Sequence, residues 1–215
     1  RSQEEEALLR LDLLEKLHPI LAEGRPARDA DIGSNPKSPG LLKGLGLITT
    51  KPQMFVMNVS DDDVLGEGPL AQKVRELAEE RGSEAVPVCA RIEEELSELD
   101  ESDRLEMLTD YGMDEPALAK LARAVYSLLG QQSFYTAGEK EIRAWTVHQG
   151  ASAPEAAGVI HTDFQRGFIR AEIFSVADLQ EYGSEKSIRE AGKLRVEGKD
   201  YLMQDADVCH FLFNV

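Results

Sequence analysis

The apolar residues Ala7, Leu8, Leu11, Leu14, Leu17 and Leu21 recur at three- and four-residue steps, which predicts an amphipathic helix over Glu5 to Leu21 that stops near Gly24. From Arg25 to Gly46 the chain is rich in Pro, Gly, Ser and Asn and reads as a connection, with one short helical turn at Leu41 to Leu45. Met54, Phe55, Val56, Met57 and Val59 then form a short apolar run bounded by Pro52 and by Asp61, Asp62 and Asp63, the pattern of a strand covered on both faces. A helix over Leu70 to Arg81, a second short apolar strand over Ala85 to Ala90, and helices over Ile92 to Leu99, Glu101 to Asp110 and Pro116 to Leu129 follow. Strand, helix, strand, helix at these lengths predicts a parallel sheet with helical crossovers. Two such strands are too few to be stable alone.

After Gly130 the rhythm changes. Short strands are predicted at Phe134 to Thr136, Ile142 to Val147, Phe168 to Phe174, Lys193 to Val196, Tyr201 to Met203 and Val208 to Phe213. Turn signals at Gly150, at Gly167 and through Glu197-Gly198-Lys199-Asp200 separate them, and helices are expected near Ala153 to Ile160 and over Val176 to Ala191. This is a second, small α+β domain. No internal repeat or long low-complexity tract is visible.

At 215 residues the chain can bury two cores, and its 42% hydrophobic and 30% charged residues describe a folded, water-facing protein. The net charge of -16 opposes binding to a nucleic-acid backbone over the whole surface and excludes general DNA binding. The acid is unevenly shared: residues 1–130 hold 15 basic and 27 acidic side chains, residues 131–215 hold 9 and 13. Any RNA contact should therefore be local and favours the C-terminal domain. Cys89 and Cys209 stand far apart with no CxxC pair and no His cluster, which supports neither a zinc site nor a disulfide framework and fits a reducing cytoplasm. No apolar run approaches the roughly 20 residues a bilayer span needs, and the first residues do not read as a signal segment. The chain opens on Arg1 within a helical pattern, so it is expected to begin inside a longer protein.

Asn58-Val59-Ser60-Asp61 leaves the C-terminal end of a predicted parallel strand, where open α/β sheets bind ligands. An Asn amide donates and accepts at a purine edge, and a carboxylate three residues on accepts from ring N–H groups. Cys89-Ala90-Arg91 ends the second strand at the same edge, where its backbone N–H groups can support a base from another side. Spacing alone favours the plainer readings, an Asn-to-Asp turn cap and an ordinary strand end with a small buried Cys. No G-x-x-x-x-G-K-S/T phosphate loop occurs, and its nearest imitation, Gly40 to Gly46, has Lys43 misplaced and no Ser or Thr for Mg²⁺. No triad order, HExxH or paired carboxylates supplies a catalytic residue or metal set. In the second domain His161, Arg166 and Arg170, with Phe164 and Phe168, combine basic and aromatic side chains near a turn and could grip RNA; a core strand and a turn histidine explain them as well. Lys186, Arg189, Lys193, Arg195 and Lys199 lie among Glu185, Glu190 and Glu197 and read as a solvated ion-pair face, and Trp145 as a core anchor.

From Lys51 onward the chain resembles the YchF subfamily of Obg-like P-loop proteins. The carriers are Lys51-Pro52 leading into the Asn58 loop, the stretch from Thr136 to Thr146, Ala156 to Asp163, Gly167 to Glu172, Ala191 to Tyr201, and the terminal Phe211 to Val215. The resemblance implies a helical (coiled-coil) insertion over residues 1–32, the C-terminal half of a Ras-like, OBG-type G domain with a parallel sheet over 33–130, and a β-grasp TGS domain over 131–215. It implies a cytoplasmic protein that binds and hydrolyses ATP or GTP with Mg²⁺ and associates with ribosomes. Asn58, Val59 and Asp61 would fall in its base-reading loop and Cys89, Ala90 and Arg91 in the supporting one. Asp61 stands where the family usually carries Glu, and Val59 where guanine-specific proteins place Lys, so base preference stays open. Ala206 replaces the Gly of a familiar Asp-Gly-Asp turn, at the local cost of a residue that tolerates positive φ. Without a phosphate loop, this stretch alone is expected to be catalytically inert; it would then serve as an interaction module whose TGS surface meets a ribosome, RNA or protein partner.

Overall fold

The computed structural model describes residues 2–138 and 141–214, so Glu139, Lys140 and Val215 of the motifs above lie outside the described residues. The chain divides into two compact units after Leu121. In the first, α1 (Ser2–Ala22) buries Leu13 and Leu17 against Ala27, Ile32, Leu41, Leu42, Leu45 and Leu47. This corrects the expected face: Leu8, Leu11, Leu14 and Leu21 are 40–64% exposed. A helix this rich in leucine carries apolar residues on more than one side, and only the packing partner decides which side is inward. Within the expected connection, α2 (Ser38–Gly44) supplies part of that partner, and Arg28 pins the connection by donating to the carbonyls of Thr49 at 3.1 Å and Lys51 at 3.3 Å and to the Gln53 side chain.

The alternation that follows is β1 (Phe55–Asn58), α3 (Pro69–Glu80), β2 (Ala85–Val88), α4 (Ala90–Glu98), α5 (Glu101–Asp110) and α6 (Ala117–Leu128), the last running across the division after Leu121. The strands pair in parallel, Phe55 opposite Ala85 and Asn58 opposite Val88, with Met57 and Val86 buried. Behind them Cys89, Ile92, Leu96, Leu108, Met113 and Ala117 form a core. Its one buried charge, Glu93, accepts hydrogen bonds from the backbone N–H of Ala117 at 2.7 Å and of Leu118 at 3.3 Å, satisfying donors that the first turn of α6 leaves without intrahelical partners.

The second unit holds β3 (Gln131–Ala137), β4 (Ile142–His148), α7 (Ala153–Ile160), α8 (Thr162–Arg166), β5 (Phe168–Ser175), α9 (Val176–Tyr182), α10 (Glu185–Glu190), β6 (Arg195–Glu197) and β7 (Asp207–Phe213). Its mixed sheet has the order β4-β3-β7-β5-β6, with β3 and β7 parallel and the other neighbours antiparallel. One face packs Phe134, Phe168, Ala171, Ile173, Cys209 and Phe211 against the alanines of α7. The other packs Phe174 and Val208 against Ile188 of α10.

Three predicted elements change. The single helix over Val176 to Ala191 is two, because Gly183 adopts φ 74° and Ser184 caps the next helix by accepting from the Ser187 N–H. α8 lies where a turn was expected, with Phe164 stacked on Phe213 at 3.9 Å between ring centroids. Tyr201 to Met203 makes only an isolated bridge, Leu202 to Ser152.

Ala206 has φ 64°, the only non-glycine residue with positive φ among the described residues. Its N–H donates to Ser133 and its carbonyl accepts from Val176, both within 3.0 Å, so the turn is held from both sides and the strained conformation persists. Ala206→Gly is therefore expected to stabilise the second unit by about 1 kcal/mol, seen as a rise of a few degrees in its thermal midpoint. No rise would mean that the turn relaxes out of the left-handed region in solution.

Asp207, 2% exposed, accepts hydrogen bonds from the Arg195 guanidinium at 3.1 Å, the Tyr201 hydroxyl at 2.8 Å and the Gln204 N–H at 2.9 Å. Burial, reinforced by Asp207 and opposed by Arg195, pushes the Tyr201 phenol up to about 12. Its folded value lies above the unfolded one near 10, so this contribution to stability is intact below about pH 10 and is lost as pH rises through about 12. Stability should fall across that window, and Tyr201→Phe should flatten the fall. Equal slopes in urea denaturation of the two proteins across the window would refute the assignment.

Candidate functional site

The parallel register brings the two loops singled out in the sequence to one edge. Asn58 ends β1 beside Val88, the Val59 N–H donates to the Val88 carbonyl at 3.1 Å, and Cys89-Ala90-Arg91 continues from there into α4. Asn58 is exposed, and its side-chain amide has no hydrogen-bond partner among the described residues. Val59 turns inward and packs on the core behind the strands. Cys89 is buried and caps α4 without a side-chain hydrogen bond, which suits the small apolar role. Ala90 is exposed at the first turn of α4, where backbone N–H groups lack helical acceptors. Asp61 and Arg91 meet directly: Nη1 of Arg91 lies 2.9 Å from Oδ2 of Asp61, while its Nε donates to Oε1 of Glu95 at 3.2 Å. These two acids raise the guanidinium's already high pKa, the Glu95 hydrogen bond contributing most.

Residues that sequence reasoning passed over shape this loop. The Asp63 carboxylate accepts from the N–H groups of Glu67 at 2.7 Å and Gly68 at 3.0 Å, and Arg75 donates to the carbonyls of Gly66 and Leu65. Gly66 has φ 64°, and a Cβ there would lie 2.9 Å from Cβ of Pro87, so only glycine lets the loop close on β2. The spacing Asp63-x-x-Gly66-x-Gly68-Pro69, an acid followed by turn residues and a helix-initiating Pro, was the available signal. Along β1 and α3 runs a groove of about 440 Å³ lined by Val56, Asn58, Ser60, Leu70 and Val74, with Val56 and Leu70 well exposed.

The second candidate surface does not assemble as one patch. His161 caps α8, its Nδ1 accepting from the Asp163 N–H at 3.2 Å, and both His161 and Arg166 lie 3.6 Å from Asp163 carboxylate oxygens. Arg170 sits beyond a bulge at Phe168/Arg170, opposite Leu212, on the sheet face of Phe174 and Val208 rather than the face of Ala171 and Ile173 that α7 covers. There it approaches Glu172 at 4.0 Å. Phe164 and Phe168 are taken up by packing, one stacked on Phe213 and the other 4% exposed, which leaves neither free to stack on a base. Trp145 donates from Nε1 to Oγ1 of Thr136 at 2.9 Å with Arg143 over its ring at 4.3 Å, and it packs on the core. The Arg189 guanidinium pairs with Glu172 and Glu185 as a solvated ion-pair face requires, whereas Arg195, expected on the same face, reaches the buried Asp207.

A parallel strand pair joined by a crossover helix, followed by a mixed sheet between helices, defines an α/β protein. Residues 131–214 match the YchF-GTPase_C family, described as "Protein of unknown function (DUF933)". The chain is 45% identical over 212 residues to the ribosome-binding ATPase YchF of Pasteurella multocida, covering 99% of this chain and 58% of that protein. It is 43% identical over 218 residues to the protein of the same name from Bacillus subtilis, covering 100% and 59%. The solved structure of the Schizosaccharomyces pombe YchF GTPase superposes with a TM-score of 0.77 at 31% identity, over 98% of this chain and 55% of that one. A GTP binding protein from Pyrococcus horikoshii OT3, at 18% identity and a TM-score of 0.52 over 94% and 56%, shares the fold. This chain belongs to the YchF family. It spans a little under three-fifths of the length of the curated relatives it matches.

Proposed function

We propose that this chain is the base-reading and C-terminal part of a ribosome-associated protein that binds and hydrolyses ATP or GTP. The observation that carries the reading is the match to ribosome-binding ATPases over essentially the whole chain at 43–45% identity. The residues present fit the base end of a nucleotide. Asn58 offers a free amide, Asp61 a carboxylate and the first turn of α4 unpaired N–H groups, all at one sheet edge. The phosphate end is a different matter. The sequence holds no G-x-x-x-x-G-K-S/T, and no group of three or more His, Cys, Asp or Glu among the described residues is placed to hold a metal ion. Binding of the triphosphate and of Mg²⁺, which would neutralise charge on the transferring phosphoryl group, is assigned to the remaining two-fifths of the protein that the relatives possess.

Residues 1–32 are proposed as part of a helical insertion, consistent with the exposed Leu8, Leu11, Leu14 and Leu21. Residues 33–130 are proposed as the second half of a G domain, consistent with a β1 that pairs on one side only among the described residues and with the exposure of Val56 on β1 and Leu70 on α3. Residues 131–215 are proposed as a β-grasp TGS domain, and a cytoplasmic location follows from ribosome association. The test is nucleotide binding, hydrolysis and ribosome co-sedimentation of the full-length protein. Failure to bind or hydrolyse either ATP or GTP would overturn the enzymatic reading.

A second reading has its own support: without phosphate contacts, the 215-residue chain by itself is an interaction module whose second unit meets a ribosomal, RNA or protein partner. His161 and Arg166 cluster around Asp163, so charge reversal at Arg166 should weaken co-sedimentation while reversal at Arg170, on the other sheet face, should not. Unchanged co-sedimentation in both variants would remove this surface from the account.

A further inference from the structure

We propose that Arg91 is a specificity-determining residue that biases the base-reading edge against guanine, by holding one carboxylate oxygen of Asp61; the inference rests on the base-reading assignment above. A carboxylate alone favours guanine, whose N1–H and N2–H point the same way and ask for two acceptor oxygens side by side. Here Oδ2 of Asp61 lies 2.9 Å from Nη1 of Arg91, and Arg91 is braced from behind by Glu95 at 3.2 Å. The edge then presents one carboxylate oxygen next to a guanidinium donor. An acceptor beside a donor complements the amino group and N1 of adenine, whereas the second N–H of guanine must share Oδ2 with the Arg91 cation or displace it.

The carrier of the effect is local and not a matter of fold. The side chains of Arg91 and Asp61 are 69% and 45% exposed, so the pair is in competition with water and is worth little to stability. Its influence on a base that must take its place is correspondingly moderate, about three- to ten-fold in relative affinity. Arg91→Met keeps the aliphatic stem and frees both oxygens; Arg91→Lys keeps a cation within reach of Asp61.

The experiment titrates the full-length protein and these two variants with ADP and with GDP, following the backbone amide NMR signals of Asn58 and Ala90. The expected result is that the ratio of the GDP to the ADP dissociation constant falls about three- to ten-fold in Arg91→Met and stays within about two-fold in Arg91→Lys. If both nucleotides move these signals and the ratio is the same in Arg91→Met as in the wild type, the role of Arg91 is overturned and the base edge stands. If neither nucleotide moves them in any of the three proteins, the base edge itself is overturned and this inference with it.

Discussion

Asp207→Ala should destabilise the second unit by about 3 kcal/mol, because it leaves three donors without the anion around which they converge. Asp207 is 2% exposed, and the Arg195 guanidinium, the Tyr201 hydroxyl and the Gln204 N–H all point at it. It opens β7, which is paired on both sides, by β3 and by β5, so strain there is passed across the sheet. Arg195 is 42% exposed and can recover some hydration, which keeps the effect below that of a fully buried broken pair. Asp207→Asn retains one acceptor but turns an amide N–H toward other donors, and about half the loss is expected. The check is the urea midpoint of the second unit's transition at neutral pH. A loss under about 1 kcal/mol for Asp207→Ala would show that water replaces the carboxylate and that the cluster is not a structural keystone.

Glu93→Ala should cost the first unit about 2 to 3 kcal/mol. Glu93 sits on α4 but serves α6, whose first N–H groups it takes at 2.7 and 3.3 Å. A carboxylate at that position also faces the positive end of the α6 dipole. Removing it leaves the Ala117 N–H buried without an acceptor, next to a core of Ile92, Leu96, Leu108 and Met113. Glu93→Gln keeps a carbonyl for one donor, and a loss of about 1 kcal/mol is expected. Because α4 begins at the Cys89-Ala90-Arg91 loop, the two variants should also broaden the amide signals of that loop in proportion to their loss of stability. Equal stability of Glu93→Ala and wild type would mean that α6 starts later in solution and caps itself.

The family motif and the two candidate loops were legible because they are contiguous. Asn58 through Asp61 and Cys89 through Arg91 each follow a short apolar run, and parallel pairing of β1 with β2 is enough to bring them to one edge. Ala206 was legible through the resemblance: the family's Asp-Gly-Asp turn places a glycine there, and φ 64° is what the chain adopts. The break between α9 and α10 was also written locally, as Gly183-Ser184, but helical periodicity on either side concealed it.

Sequence by itself determined the alternation of strands and helices, the change of rhythm after Gly130 and the chemistry available at each strand end, since these follow from periodicity and turn residues within a few positions. Tertiary structure alone decided which side of α1 is inward, that Glu93 closes a helix 24 residues away, and that Arg91 meets Asp61 across 30. It also decided that Arg170 parts from His161 and Arg166, because one extra residue at the β5 bulge reassigns every later side chain to a face. Hydrogen bonds between distant positions and the face a side chain occupies in a sheet are properties of the partner as much as of the residue, so neither can be read until the partner is in place.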